Sequence, residues 1–306
     1  MMSTQSKLHI EDVYKRYGSR LVLDNIDLTV AAGELCTLVG PSGCGKSTLL
    51  RLVLGQEFAD HGQVLIDGAT VQHPDSQRGI VYQKYSLFPH LTVLDNVRLG
   101  LRLDRQHWWL PWRHDKSADD EALAMLEQLR LTDARHKYPH ELSGGMQQRV
   151  AIAQALVTKP PILLMDEPFG ALDPDTREQM QIYLMELHEK QQLTIFFVTH
   201  DLEEACYIGT RLLVLSQYYT DDRGDAPEIG RGAKIVADYD LEVHALPTTV
   251  KGSQAYRDFV GQLRDNGFNP GIRKHVREFN LQHPHSFRTL TMQEDGQHGV
   301  GLLNSP

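Results

Sequence analysis

The sequence predicts an α/β chain with a P-loop core, and three observations predict it. The apolar run 35–39 leads into Gly40-Pro41-Ser42-Gly43-Cys44-Gly45-Lys46-Ser47-Thr48, a full G-x-x-x-x-G-K-[ST] match, with a helical pattern over 48–55 behind it. A second apolar strand, Ile162-Leu163-Leu164-Met165, ends in the paired acids Asp166-Glu167. Ahead of the loop, 8–30 reads as an antiparallel β part, and 83–143 reads as an inserted helical arm before the core resumes.

Each element has a chemical reading. Glycines let the loop backbone curl so that its N–H groups, with the helix N-terminus, surround a β-phosphate. Lys46 adds a point charge to the β/γ-phosphates, and the Ser47 hydroxyl suits a Mg²⁺ ligand. The plainer alternative, a Gly-rich turn opening an ordinary helix, does not account for the strand-loop-helix order. At the tip of the second strand, Asp166 would hold Mg²⁺, through water, and Glu167 would be the general base for an attacking water. Taken alone, that pair reads equally as a strand followed by a helix cap.

The octapeptide at 142–149, Leu-Ser-Gly-Gly-Met-Gln-Gln-Arg, has the form of a helix start. Ser143 is the N-cap, Gly144 and Gly145 permit close backbone approach, and the helix runs over 146–158 to Pro160-Pro161. A serine-capped N-terminus attracts an anion. The chain's own site needs no second anion, so the reading is a γ-phosphate presented by another subunit, although Ser-Gly-Gly alone would read as a plain serine-capped helix.

Together these residues resemble the ATP-binding cassette family, specifically the nucleotide-binding subunit of an ABC transporter, over about residues 8–216. The resemblance implies a P-loop NTPase core of ABC ATPase type with an N-terminal antiparallel β subdomain and an inserted helical subdomain. It implies an ATPase using ATP and Mg²⁺, with nucleotide contacts from Tyr17, residues 40–48, Ser143, Gly144, Gly145, Gln147 and Asp173. Tyr17 matches the aromatic that stacks on adenine, and Gln83 the glutamine that senses Mg²⁺ and links the site to a membrane partner. Asp173 matches the aspartate loop that crosses the dimer interface. His200, after the apolar strand 194–199, matches the switch histidine that contacts the γ-phosphate, and 201–205 fits the family's continuation. Lys46, Gln83, Glu167 and His200 are then the catalytic set, and Ser47, Gln83 and Asp166 the metal set. Partners implied are a second cassette, head to tail as a homodimer, an integral membrane permease and, indirectly, an external solute-binding protein. The segment 85–101 resembles cassettes of nitrate, sulfonate and taurine importers.

Composition agrees with a subunit outside the bilayer. The 306 residues are 41% hydrophobic with mean hydropathy −0.37, and the longest apolar runs fall far short of the roughly 20 residues a spanning helix needs. The start, Met1 to Lys7, lacks the apolar stretch of a secretory signal, so a cytoplasmic chain, peripheral at the inner face of the membrane, is expected. Three cysteines without paired spacing agree with a reducing compartment, and Cys44 inside the loop reads as an alkylation target or a tolerated small residue. A net charge of −9 offers no nucleic-acid footprint.

The predicted domains are an ATPase domain over 1–247, its helical arm about 84–160, and a C-terminal extension over 248–306. An insertion at 102–120 holds Trp108, Trp109 and Trp112, which suit a membrane interface or partner groove, or a cluster packed on the arm itself. In the extension, 248–263 reads as a helix and the rest as weakly ordered. Its His275, His283, His285 and His298 read as a metal site or a solvated tail, and their irregular spacing favours the tail. The favoured function is the energising subunit of a small-solute importer. Its rivals are a soluble cassette ATPase of DNA repair or translation, against which stand a single cassette and no heptad run, and an exporter cassette sharing the same nucleotide motifs.

Overall fold

Leu8, Ile10 and Val13 are buried along one strand and Ile26, Leu28 and Val30 along the next, so the first two strands share an apolar face. These strands, β1 (Ser6–Tyr17) and β2 (Arg20–Ala31), form an antiparallel hairpin turning at Gly18 and Ser19. The structure is a computed structural model that describes residues 6–84, 86–104, 116–224, 230–241, 254–281 and 283. It divides into two units, Met1–His73 with Val198–Pro306, and Pro74–Phe197.

In the first unit the chain passes from the hairpin to β3 (Leu35–Val39), buried at every position, and then to α1 (Lys46–Leu54). It returns through β4 (His61–Ile66) and β5 (Ala69–Thr70) to complete a sheet ordered β2-β1-β4-β5. Asp27 of β2 is 8% exposed and accepts a bond from the Asp12 amide at 2.7 Å. Burial pushes its carboxyl up to about 6, against the lowering effect of that amide. The folded chain therefore keeps a proton that the unfolded chain releases. The stabilisation is present below pH 4 and is lost as pH rises through about 6. Asp27→Asn is expected to flatten the fall in stability between pH 4 and 6, measured by urea unfolding. An unchanged slope would mean that Asp27 is already ionised in the native state.

The second unit carries β6 (Arg78–Tyr82), α2 (Val93–Asp104), α3 (Lys116–Gln128), α4 (Gly144–Leu156), β7 (Ile162–Asp166), α5 (Pro174–Gln191) and β8 (Ile195–Val198). Its strands lie in the order β8-β7-β6 with β6 parallel to β7, and α2 packs on α3 and α4. Continuous apolar burial in β7 and β8 is the pattern of strands covered on both faces. Asn96 of α2 is fully buried and donates from Nδ2 to the carbonyls of Phe88, Leu91 and Thr92, fixing the turn after Gln83. Trp108, Trp109 and Trp112 lie outside the described residues.

Back in the first unit come α6 (Leu202–Ile208), β9 (Arg211–Ser216), β10 (Tyr219–Thr220), β11 (Lys234–Asp240), α7 (Gln254–Gly267), β12 (Lys274–His275) and β13 (Asn280–Leu281). The order β13-β11-β9-β3 makes β9 a parallel neighbour of β3, and β10 pairs with β12. Where the sequence suggested a helix over 248–263 and weak order beyond it, α7 ends at Gly267 and two short strands follow. The reason is burial: Tyr256, Val260, Leu263 and Val276 join Tyr219, Val236 and Tyr239 in one apolar cluster. His275 Nε2 lies 3.4 Å from Asp222, and His283 Nε2 lies 3.5 Å from Glu34. His285 and His298 lie outside the described residues. Among the described residues no cluster of three or more His, Cys, Asp or Glu could hold a metal, and no helix is long and apolar enough to cross a membrane.

Arg211 ties this sheet together. Fully buried, it forks onto Asp238 at 2.8 and 2.7 Å and donates to Thr29 O at 2.6 Å, with Glu34 at 3.4 Å. Removing one partner of such a pair leaves a buried charge uncompensated. Arg211→Met is expected to lower unfolding free energy by about 3–5 kcal/mol, read from urea melts. A loss in the range of about 0–1 kcal/mol typical of a surface pair would overturn this.

Candidate nucleotide site

In the first unit β3 ends at Val39 and the chain loops through 40–45 onto α1. The loop runs hard against β9: a Cβ on Gly40 would lie 2.2 Å from Leu215 O and 2.9 Å from Cys44 Sγ, so only glycine fits. Gly45 opens α1 at φ 114°, a conformation L side chains rarely adopt, and it supplies no side-chain cap. The first-turn amides of α1 are thus directed at the loop, as an anion requires. Lys46 is 7% exposed and donates to Gly40 O at 2.7 Å and Pro41 O at 3.2 Å, which carries its ammonium back across the loop. Ser42, Gly43 and Ser47 are exposed, Pro41 is half-buried and Thr48 is buried.

Cys44 corrects one expectation. It is 2% exposed, and burial pushes its thiol up despite the Lys46 ammonium nearby, so it is a poor alkylation target and serves as packing under Gly40. Tyr17, at the end of β1, keeps 45% of its surface exposed, with the Lys15 ammonium 5.6 Å from its ring centroid. Its hydroxyl donates to Glu57 and accepts from Arg51 Nη2 at 3.3 Å. His200 is exposed on the turn between β8 and α6. That turn is braced on both sides: the Thr199 amide donates to Leu38 O at 3.1 Å, and the Thr199 hydroxyl to the buried Glu204 at 2.6 Å. Asp201 then caps α6 through the Glu203 and Glu204 amides.

In the second unit Tyr82 pairs with Asp166 across β6 and β7, so Gln83 and Glu167 follow side by side at the carboxyl ends of the strands. Glu167 takes φ 46°, breaking strand alternation and turning the chain sharply at the acid. Its carbonyl accepts from the Gly170 amide at 3.1 Å, and a Cβ on Gly170 would lie 2.9 Å from Gln83 Nε2. Gln83, Asp166 and Glu167 are therefore one local group. Ser143 caps α4, accepting from the Met146 amide at 3.3 Å, and α4 begins at Gly144. Gln147 donates to Pro139 O and Leu142 O, bracing the turn ahead of the helix. Asp173 caps α5 through the Thr176 amide at 3.0 Å, and its bonds with Thr176 hold the carboxyl below its usual range. A Cβ on Gly145 would come within 2.8 Å of Thr176 Cγ2, so the starts of α4 and α5 lie together. Beside them opens a cavity of about 350 Å³ lined by Ser143, Gly145, Arg149, Thr176 and Tyr183.

The site residues thus form two groups. Tyr17, residues 40–48 and His200 belong to the first unit; Gln83, Ser143, Gly144, Gly145, Gln147, Asp166, Glu167 and Asp173 belong to the second. Sequence reasoning missed Arg51, Glu57, Thr199 and Glu204. The only signal for Arg51 was its place one helical turn after Thr48.

A glycine-rich loop with a buried lysine in the first unit, and in the second an acid-tipped strand and a serine-capped helix, are each parts that nucleotide-hydrolysing proteins use. The ABC transporter family matches residues 23–170. The chain is 38% identical over 291 residues to the sulfate/thiosulfate import ATP-binding protein of Synechocystis sp., covering 94% of this chain and 78% of that one. It is 42% identical over 221 residues to the spermidine/putrescine import ATP-binding protein of Nitrosomonas europaea, covering 71% of this chain and 59% of the relative's length. Among solved structures it is similar to an ATP-binding cassette in a dimeric post-hydrolysis state bound to ADP and Pi, with TM-score 0.59 and 31% identity over 76% of this chain and 98% of that one. The chain belongs to the ABC transporter family as an ATP-binding cassette, and it is an ATPase.

Proposed function

We propose that this ATPase energises a membrane importer of a small solute. The observation that carries the reading is the complete phosphate loop, with Lys46 buried across it, in a chain whose relatives are named as import ATP-binding proteins. In this reading Tyr17 stacks on adenine, residues 40–48 hold the phosphates, and Lys46 neutralises β/γ charge. Glu167 takes the proton of the attacking water and His200 contacts the γ-phosphate. The donors assigned to Mg²⁺, the Ser47 hydroxyl, the Gln83 amide and the Asp166 carboxylate, are hard oxygens, which suit that ion. When bound, it would offset phosphate charge as the γ-phosphoryl group leaves.

A second copy, head to tail, presents Ser143, Gly144, Gly145 and Gln147 to the partner's ATP, with Asp173 at the interface. ATP then holds the two cassettes together and hydrolysis releases them, a two-state change that can drive a permease. The cassette works at the inner face of the membrane, and an external solute-binding protein delivers the solute. Residues 1–247 form the ATPase domain and 248–306 an extension to it. The relatives' names point to sulfate, thiosulfate or polyamines, and the resemblance of 85–101 points to nitrate, sulfonates or taurine; no cassette residue assigned here contacts the solute.

The test is affinity purification of the tagged chain from detergent-solubilised membranes of its own cells. Co-purification of a polytopic permease, with or without a solute-binding protein, supports the importer. A wholly soluble set of partners would move the chain to the class of cassettes that act on DNA or the ribosome.

A further inference from the structure

Arg51 and Glu57 have no part in the phosphate chemistry, yet both side chains converge on Tyr17. Arg51 lies one turn into α1 from Thr48, and its Nη2 donates to the Thr48 hydroxyl and to the Tyr17 hydroxyl, each at 3.3 Å. Beyond the helix the chain reverses at Gly55: the amides of Gln56 and Glu57 both return to Arg51 O, at 2.9 and 3.3 Å. That reversal brings the Glu57 carboxylate to Arg51 Nε at 2.7 Å and under the Tyr17 hydroxyl. On the other side Lys15 places its ammonium 5.6 Å from the Tyr17 ring centroid and is itself held by Phe58 O at 2.7 Å.

An exposed tyrosine at a strand end has rotamers to spare, and fixing one costs entropy each time a base stacks on it. Here the hydroxyl is tethered by an acid that is fixed by an arginine, and the arginine reaches the last residue of the phosphate loop. We propose that Glu57 and Arg51 are positioning residues that hold the Tyr17 ring ready for the nucleotide base. Arg51 anchors this bracket on the Thr48 hydroxyl, so the ring is held from the end of the loop. The inference rests on the assignment of Tyr17 to the base.

The test compares two ligands on the full-length chain: ATP with Mg²⁺, and inorganic tripolyphosphate with Mg²⁺, which keeps the phosphates and lacks the base. Glu57→Ala is expected to weaken ATP binding about three- to tenfold, the range of one stacking contact, and to leave tripolyphosphate affinity where it was. Glu57→Gln, which can still accept from the tyrosine hydroxyl, should recover most of the loss. Tyr17→Phe removes the tethered hydroxyl, and adding Glu57→Ala to it should cause no further loss, because the two changes break the same bond. Equal weakening of both ligands by Glu57→Ala, or additive losses in the double variant, would overturn the inference by showing that Glu57 acts on the loop or the fold. Tyr17→Ala separates the underlying assignment: if it fails to discriminate ATP from tripolyphosphate, Tyr17 does not stack on the base. If Tyr17→Ala discriminates and Glu57→Ala does not, the tyrosine assignment stands and the positioning role is overturned.

Discussion

Glu167→Gln is expected to stop ATP turnover while leaving ATP bound, and to accumulate a dimer on size exclusion in ATP and Mg²⁺. Glutamine has the shape of glutamate but cannot take a proton from water, and loss of a general base typically costs about 10²–10⁴ in rate. The position makes this a clean chemical test. Glu167 sits at φ 46° at the turn after β7, where backbone direction rather than strand alternation aims the side chain. Glutamine at the same φ adds no Cβ burden beyond that of glutamate, so the thermal midpoint should hold. Hydrolysis at the wild-type rate would remove Glu167 from the mechanism.

Lys46→Ala should act earlier, at binding. The ammonium is bonded to two carbonyls of its own loop, Gly40 and Pro41, in a site where Lys46 is almost wholly buried. Charge-assisted hydrogen bonds to phosphate are worth about 1.5–3 kcal/mol each, so one such loss weakens ATP about ten- to a hundredfold. Turnover is expected to fall further, because in the proposed site the same charge faces the γ-phosphoryl group as it departs. Equilibrium binding of a fluorescent ATP analogue separates the two effects. Unchanged affinity would mean that the loop amides alone hold the phosphates.

These expectations could be drawn from the sequence because the residues behind them are contiguous. Gly40 to Thr48 lie in one strand-loop-helix turn, Asp166-Glu167 at one strand end and Ser143 to Gln147 at one helix start, and local rules of capping and strand termination place them. The Ser143 cap and the α4 start at Gly144 are such a case. What escaped notice depends on residues far apart in the chain. The Tyr17–Glu57 bond joins positions 40 apart, and the seat under Gly40 is a carbonyl at residue 215. Cys44 looked reactive because its neighbours in sequence are loop residues, but its neighbours in space enclose it. The strands after α7 were missed because 268–281 is polar and Gly- and Asn-bearing when read alone. Val276 and Leu263 become core residues only against Tyr219 and Tyr239.

The pairing of β3 with β9 also sets an order of events on the ribosome. Leu35, which opens β3, and Thr210, just ahead of β9, bond to each other although 175 positions apart, and the whole second unit is translated between them. At roughly 5–20 residues per second, a nascent chain displays its entire phosphate-loop motif for on the order of ten to thirty seconds before Leu215 exists to support Gly40. Long-range parallel pairing of this kind is intrinsically slow to form. Nucleotide affinity is therefore expected to arise late, and the appearance of ATP binding during synthesis would date the moment β9 docks on β3.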